Sequence, residues 1–164
     1  MVFKFINYDL SKRDELNYIE DRFKIDKVIE NKSYKIEILD TNGEDDYQQM
    51  LDMWISFGEG FLLVFSINDK YSFDFIQKKR ERIIKGKHGE RSPMILVGNK
   101  VDLENNRKVS TEEAKKLAES WGIEYIETSV KANINCNEAF EKLVVQIAST
   151  KVKKSKSSCP CSID

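Results

Sequence analysis

Met94-Ile95-Leu96-Val97-Gly98-Asn99-Lys100-Val101-Asp102 passes from a continuous apolar run into a polar turn that closes on a carboxylate. An unbroken apolar run of this length predicts a strand buried on both faces, as in a mostly parallel sheet. Phe61-Leu62-Leu63-Val64-Phe65-Ser66-Ile67 is a second such run. Between them, Phe73, Ile76, Arg80, Ile83 and Ile84 recur at roughly helical spacing and predict a helix over 72–85. Ser110-Thr111-Glu112-Glu113 has the form of a capping signal with an acidic first turn. It opens a helix that reaches about Trp121 and stops at Gly122. Residues 123–126 read as a short strand, and 137–148 as an amphipathic helix with Ala139, Phe140, Leu143, Val144 and Ile147 inward. Upstream, alternation over 23–30 and 34–39, with Asn31-Lys32-Ser33 between, predicts a β-hairpin. Strand and helix alternate from Phe61 onward, which makes the class α/β.

The chain has 164 residues, 40% hydrophobic and 34% charged, which suits one globular domain with a single core. A net charge of −1 gives no overall field toward nucleic acid, and no nucleic-acid partner is expected. Cations are nevertheless concentrated locally, with Lys151, Lys153, Lys154 and Lys156 beside the C-terminus. Such a cluster attracts an anionic membrane surface. Residues 149–164 are rich in Lys and Ser and are expected to be disordered. Cys136, Cys159 and Cys161 make neither a disulfide framework nor a zinc spacing and fit a reducing compartment. No secretory leader and no apolar run of about 18 residues is expected.

Asp102 is the residue with the sharpest chemistry. A carboxylate at a strand end can accept both the N1–H and the 2-amino group of guanine. Adenine offers neither, so the acid would be left unsatisfied. Taken alone, Asn99-Lys100-Val101-Asp102 reads equally well as a strand end turning through polar residues. Its position adds weight, because Thr128-Ser129-Val130-Lys131 follows the next strand and ligands bind at carboxyl ends of strands in such sheets.

Four segments in order carry a resemblance, Asp40-Thr41-Asn42-Gly43-Glu44, Asn99-Lys100-Val101-Asp102, Glu127-Thr128-Ser129-Val130-Lys131 and a tail ending Cys161-Ser162-Ile163-Asp164, and the runs Ile38 to Thr41, Gly58 to Asn68 and Val97 to Leu103 make it specific. Together they resemble the Ras/Rap branch of small GTPases over residues 19–148. The resemblance implies a P-loop GTPase-like, mostly parallel sheet with helices on both faces. It implies a GTPase domain over 1–148 and a basic, lipid-anchored tail over 149–164. It also implies GTP or GDP and Mg²⁺ as cofactors, and effector and regulatory proteins as partners. Asn99 and Asp102 would contact guanine, Lys100 would lie along the base, and Ser129, Val130 and Lys131 would complete the pocket. Val130 stands where the family has Ala. Asp40 would reach Mg²⁺ through water, and the Gly43 N–H would meet a γ-phosphate.

The same resemblance marks departures. Family members open with a strand and a glycine-rich loop ending Gly-Lys-Ser/Thr, whose N–H groups and lysine hold the phosphates. No glycine precedes Gly43 here, and Met1 aligns just after that loop. The chain is therefore expected to resemble a member cut at the front, with the first central strand absent. Val2-Phe3-Lys4-Phe5-Ile6 is expected either as a helix or as a substitute strand, the alternative to substitution being a split sheet. Asn17 or Tyr18 occupies the place of the switch threonine, and Leu10 or Ser11 that of the aromatic below the base. Glu44 replaces the glutamine that orients the attacking water. Binding of GTP is expected to be poor or nil.

Ile19-Glu20-Asp21 resembles the effector segment, where carboxylates beside a strand edge would pair with a partner's basic strand. The bland alternative is an ordinary solvated edge. Cys161-Ser162-Ile163-Asp164 has the C-a-a-X form, so Cys161 is a candidate for prenylation and Cys159 for reversible acylation. The expectation is a Ras-like signalling protein on the cytoplasmic face of a membrane, the plasma membrane first. A nucleotide-free binding module, or the product of a truncated gene, is the alternative.

Overall fold

The computed structural model describes residues 1–5, 20–41, 48–89 and 91–157. In chain order these form α1 (Val2–Phe5), β1 (Glu20–Ile29), β2 (Lys32–Thr41), α2 (Gln48–Phe57), β3 (Phe61–Ser66) and α3 (Lys70–Gly86). There follow β4 (Met94–Asn99), a 3₁₀ segment (Val101–Asn106), α4 (Thr111–Trp121), β5 (Glu124–Thr128) and α5 (Cys136–Ser157). The α/β class expected from the alternating pattern is what the chain adopts.

β3, β4 and β5 form a parallel sheet in that order. Its two faces are covered separately because side chains alternate along each strand. Leu63, Phe65, Met94 and Leu96 face a core shared with Phe73, Ile76 and Ile83 of α3 and Ala114 and Ala118 of α4. Ile95, Val97 and Ile126 face Ala139 and Leu143 of α5. The helix boundaries follow local chemistry. Asp69 accepts from the Tyr71 N–H at the start of α3, and Ser110 accepts from the Glu113 N–H at the start of α4. Gly122, at φ 67°, takes the left-handed position that ends α4.

β1 and β2 form a separate antiparallel hairpin. Its turn is shorter than the expected Asn31-Lys32-Ser33. Glu30 and Asn31, at φ 48° and 61°, make a two-residue connection, and Lys32 already pairs with Ile29. Positive φ at both positions gives the twist that two-residue hairpins need. Phe23 and Ile25, facing Ile38 and Ile36 across the pair, turn one face inward, whereas Val28 points the other way and is exposed.

The N-terminal segment takes the helical of its two expected forms, and the sheet is split. Among the described residues no strand joins the hairpin to the three-stranded sheet. α1 occupies the space between them. Val2 and Phe5 pack with Phe140 of α5, Phe23 and Ile25 of β1, Ile36 and Ile38 of β2, and Leu62 of β3. The Phe5 ring stacks on Phe140 at 4.5 Å between centroids, and the Lys27 ammonium lies 3.7 Å above its other face. Lys27 also pairs with Glu141 of α5 at 3.5 Å. So short a helix has little intrinsic stability and is held by this packing.

Two elements depart from the sequence reading. α2 occupies a stretch for which the sequence predicts no element. α5 continues to Ser157 instead of stopping at 148, which corrects the expectation of disorder for 149–157. Ser149 and Thr150 hydroxyls bond back to the Val145 and Gln146 carbonyls, Lys151 pairs with Glu59 at 2.7 Å, and lysines near a helix C-terminus suit its dipole. The remainder of the tail lies outside the described residues.

Replacing Phe5 with Ala removes the ring that joins hairpin, helix and sheet. The expected loss is about 3–5 kcal/mol in denaturant unfolding. Amide exchange should accelerate more in β1 and β2 than in β3–β5; equal acceleration in both sheets would contradict the role given to α1.

Candidate functional site

The carboxyl ends of β4 and β5 meet because Asn99 is in register with Thr128. The Thr128 hydroxyl donates to Asn99 Oδ1 at 3.2 Å and is fully buried. Beyond Asn99 the chain turns through Lys100, whose left-handed backbone (φ 69°, ψ 37°) opens the 3₁₀ segment carrying Asp102. The Ile67 N–H donates to the Asn99 carbonyl, and the Lys108 and Val109 N–H groups donate to the Ile67 carbonyl. The loop is thereby fixed at both ends to Ile67, just beyond β3.

Ser129 follows β5 and is fully buried. Its hydroxyl donates to Asp102 Oδ1 at 2.5 Å and accepts from the Ala132 N–H at 2.9 Å. Backbone bonds in both directions between Ser129 and Ile134 close the following loop. Asn99, Lys100, Asp102, Ser129, Val130 and Lys131 are thus brought to one end of the parallel sheet, with Asp102, Lys100, Val130 and Lys131 exposed. An exposed carboxylate fixed by one oxygen is suited to accept donors lying in its plane.

The other expected site residues are not gathered there by the described structure. Asp40 lies near the end of β2, in the hairpin sheet, paired with Asp21 of β1; Glu20 pairs with Thr41. Ile19, Gly43, Glu44, Cys159 and Cys161 lie outside the described residues, as do Leu10, Ser11, Asn17 and Tyr18. No three His, Cys, Asp or Glu side chains gather as a metal cluster among the described residues. Nor does any Gly-Lys-Ser or Gly-Lys-Thr run occur in residues 1–164. Among the described residues, this end of the sheet offers hydrogen-bonding groups to a planar ligand and no set of side chains that would hold a magnesium–phosphate group.

A second group, not read from the sequence, ties the two loops together. The half-buried Glu127 carboxylate accepts from Arg107 Nη1 and Nη2 (2.9 and 3.2 Å), from Thr111 Oγ1 (2.8 Å) and from Tyr125 Oη (2.8 Å). Arg107 also donates to Glu104 and to the Val109 carbonyl, and Asn135 donates to the Glu127 carbonyl. Burial pushes the Glu127 pKa up, but these hydrogen bonds outweigh it and the carboxyl is held below its ordinary value. Burial, and then the bond to Glu127, keep the Tyr125 phenol protonated well above its usual range. Gly98 makes room for this phenol, since a Cβ there would lie 2.5 Å from Tyr125 Oη and 3.2 Å from the Phe65 ring. Arg107 lies a short loop beyond Asp102, and Glu127 stands two residues before Ser129. No periodic pattern links them, which is why spacing alone does not find the group.

The model of the Ras family matches residues 1–149. Over 126 residues the chain is 47% identical to "Ras-like protein RAS2" of Hydra vulgaris, covering 77% of this chain and 66% of that protein. Over 137 residues it is 41% identical to "Ras-related protein O-RAL" of Diplobatis ommata, covering 83% of this chain and 66% of that protein. The matched region thus spans just under two thirds of the length of each of these relatives.

The Glu127 group sets an acid dependence with a definite sign. A carboxyl whose pKa is lowered by folding stabilises the fold above its unfolded value, about 4.3, and loses that contribution as pH falls through the folded value. Unfolding followed from pH 7 to pH 2 should show this acid limb. Glu127→Gln should lower stability at pH 7 by roughly 2 kcal/mol and flatten the limb; an unchanged slope would show that other carboxyls carry it.

Proposed function

The chain belongs to the Ras family, and from that premise we propose that residues 1–164 form a Ras-type signalling module with a guanine-reading end, within which no Gly-Lys-Ser/Thr phosphate loop occurs. The observation that carries this reading is the Ser129–Asp102 bond, which holds the carboxylate at the paired ends of β4 and β5. Asp102 accepts the two in-plane donors of guanine. Asn99 lies beside it at the strand end, the Lys100 stem covers the base, and the Ser129, Val130 and Lys131 loop closes the pocket.

Phosphate affinity in a nucleotide site of this type comes from charge-assisted hydrogen bonds of about 1.5–3 kcal/mol each. Losing about four of them weakens binding by at least ~10⁴-fold. Glu44, at the position that would orient water, adds negative charge beside any triphosphate. In this reading residues 1–164 by themselves recognise guanine weakly. The module acts by binding other proteins: the β1 segment carrying Glu20 and Asp21 is the surface for an effector with a basic edge strand. The C-a-a-X tail, with Cys161 prenylated, Cys159 acylated and lysines upstream, places it on the cytoplasmic face of the plasma membrane. No helix among the described residues is long and apolar enough to cross a membrane.

Purified 1–164 protein, denatured and assayed for released nucleotide, should yield far less than one GDP or GTP per chain. Titration with guanosine should shift the Asp102 and Ser129 amide signals, adenosine should not, and Asp102→Ala should abolish the response. Stoichiometric nucleotide would overturn the phosphate half of the proposal, and no discrimination between the nucleosides would overturn the base half.

A further inference from the structure

Parallel topology sends the carboxyl ends of α2, α3 and α4 to one end of the sheet, opposite the loops that carry Asn99 and Asp102. α5 leaves the domain there too. Gly60, just before β3, lies against α5 so closely that a Cβ would sit 2.7 Å from Ile147, and Lys151 pairs with the neighbouring Glu59. The stretch leading to this end is basic although the chain is not, and the acids Asp52 and Glu59 there are each already paired. The stretch 78–91 carries Lys78, Lys79, Arg80, Arg82, Lys85, Lys87 and Arg91 against Glu81 and Glu90.

Part of that charge has a structural use. Arg82 is bonded to Asp52, and Arg80 lies over Trp121. Lys85 and Arg91 are exposed and make no ion pair among the described residues. Lys87 donates to the Ser56 carbonyl at 2.8 Å, which sets its charge beside the end of α2. There Phe57 is 77% exposed and Met53 46%. An aromatic ring held in water at a helix tip, with cations around it, matches an amphipathic anionic boundary. Phosphates attract the ammonium and guanidinium groups, and the ring enters the layer beneath the headgroups.

We infer that this end of the domain is a docking face for anionic lipid, with Phe57 inserted and Lys85, Lys87 and Arg91 on the headgroups. A lipid surface is favoured over an acidic protein because α5, whose sequence turns lysine-rich from Lys151, ends on the same side and so adds cations along one plane. The inference rests on the membrane reading above but assigns it to residues of the folded domain, which that reading does not use.

The test uses the full 1–164 chain made without lipidation, with vesicles of phosphatidylcholine with and without phosphatidylserine. Flotation should show salt-sensitive binding only where phosphatidylserine is present. Each basic side chain near such a surface contributes about a fivefold factor, so the double variant Lys85→Glu/Arg91→Glu should bind at least about twentyfold more weakly. Phe57→Ser should weaken binding about tenfold while leaving its salt dependence unchanged. Both variants alter exposed side chains, and unchanged thermal unfolding is the control for folding. Variants that bind like the parent would assign all binding to the tail and overturn the inference. So would a folded parent that ignores phosphatidylserine, or one that binds immobilised polyglutamate but no vesicle. Incorporation of labelled isoprenoid at Cys161 is scored separately. Vesicle binding that the face variants weaken, without labelling, upholds the face and removes the anchor, and labelling without vesicle binding does the reverse.

Discussion

One carboxylate sets the geometry on which the loops at the ends of β4 and β5 depend. Glu127 takes donors from three directions: Arg107 from the loop after β4, Thr111 from the first turn of α4, and Tyr125 from its own strand. A half-buried carboxylate is stable only when its lone pairs are used, and here folding supplies the donors. The consequence is mechanical. The loop carrying Asp102 and the loop carrying Ser129 share a fixed floor, so the two cannot drift apart without breaking charge-assisted bonds. Gly98 belongs to the same device, because it leaves space for the Tyr125 phenol to reach across β4.

The split sheet raises a different problem, that of joining a hairpin to a parallel sheet without backbone ladders. Apolar contact does this through α1. Phe5 is almost fully buried, with Phe140 on one face and Lys27 on the other. The Lys27 ammonium also pairs with Glu141 and donates to the Phe5 carbonyl, so its charge is used as the ring is covered. Dispersion and a cation over an aromatic face are less directional than a hydrogen-bonded ladder. The hairpin is therefore attached by side chains alone along this contact, while β3–β5 are locked by backbone register.

What was legible in the residues follows from which interactions are local. The strands around Leu63 and Leu96, the cap at Ser110 and the stop at Gly122 each depend on a few neighbouring residues, and each is where the pattern puts it. The cluster of Asn99, Asp102 and Ser129 was legible because strand ends in a parallel sheet must lie together. α2 was not, although its apolar residues do recur at helical spacing; Ile55 buries it in a core whose other members are distant in sequence. The extension of α5 was missed because a lysine-rich, serine-rich stretch resembles a solvated tail. Its helical state draws on Glu59, which is remote in sequence. The Arg107–Glu127 pairing was hidden for the same reason.

The Ser129–Asp102 contact also bears on what retention of a motif means. Ser129 is fully buried, and its hydroxyl proton needs an acceptor whether or not a base is present. Asp102 is that acceptor, and the Ala132 N–H in turn uses the Ser129 oxygen. Removing Asp102 would leave a buried donor without a partner and loosen the loop that the Glu127 group holds from below. The residues that would read guanine are therefore also residues that the fold uses. An arrangement of this kind persists on structural grounds alone. The capacity to retain a nucleotide rests instead on phosphate contacts, which are a separate set of residues.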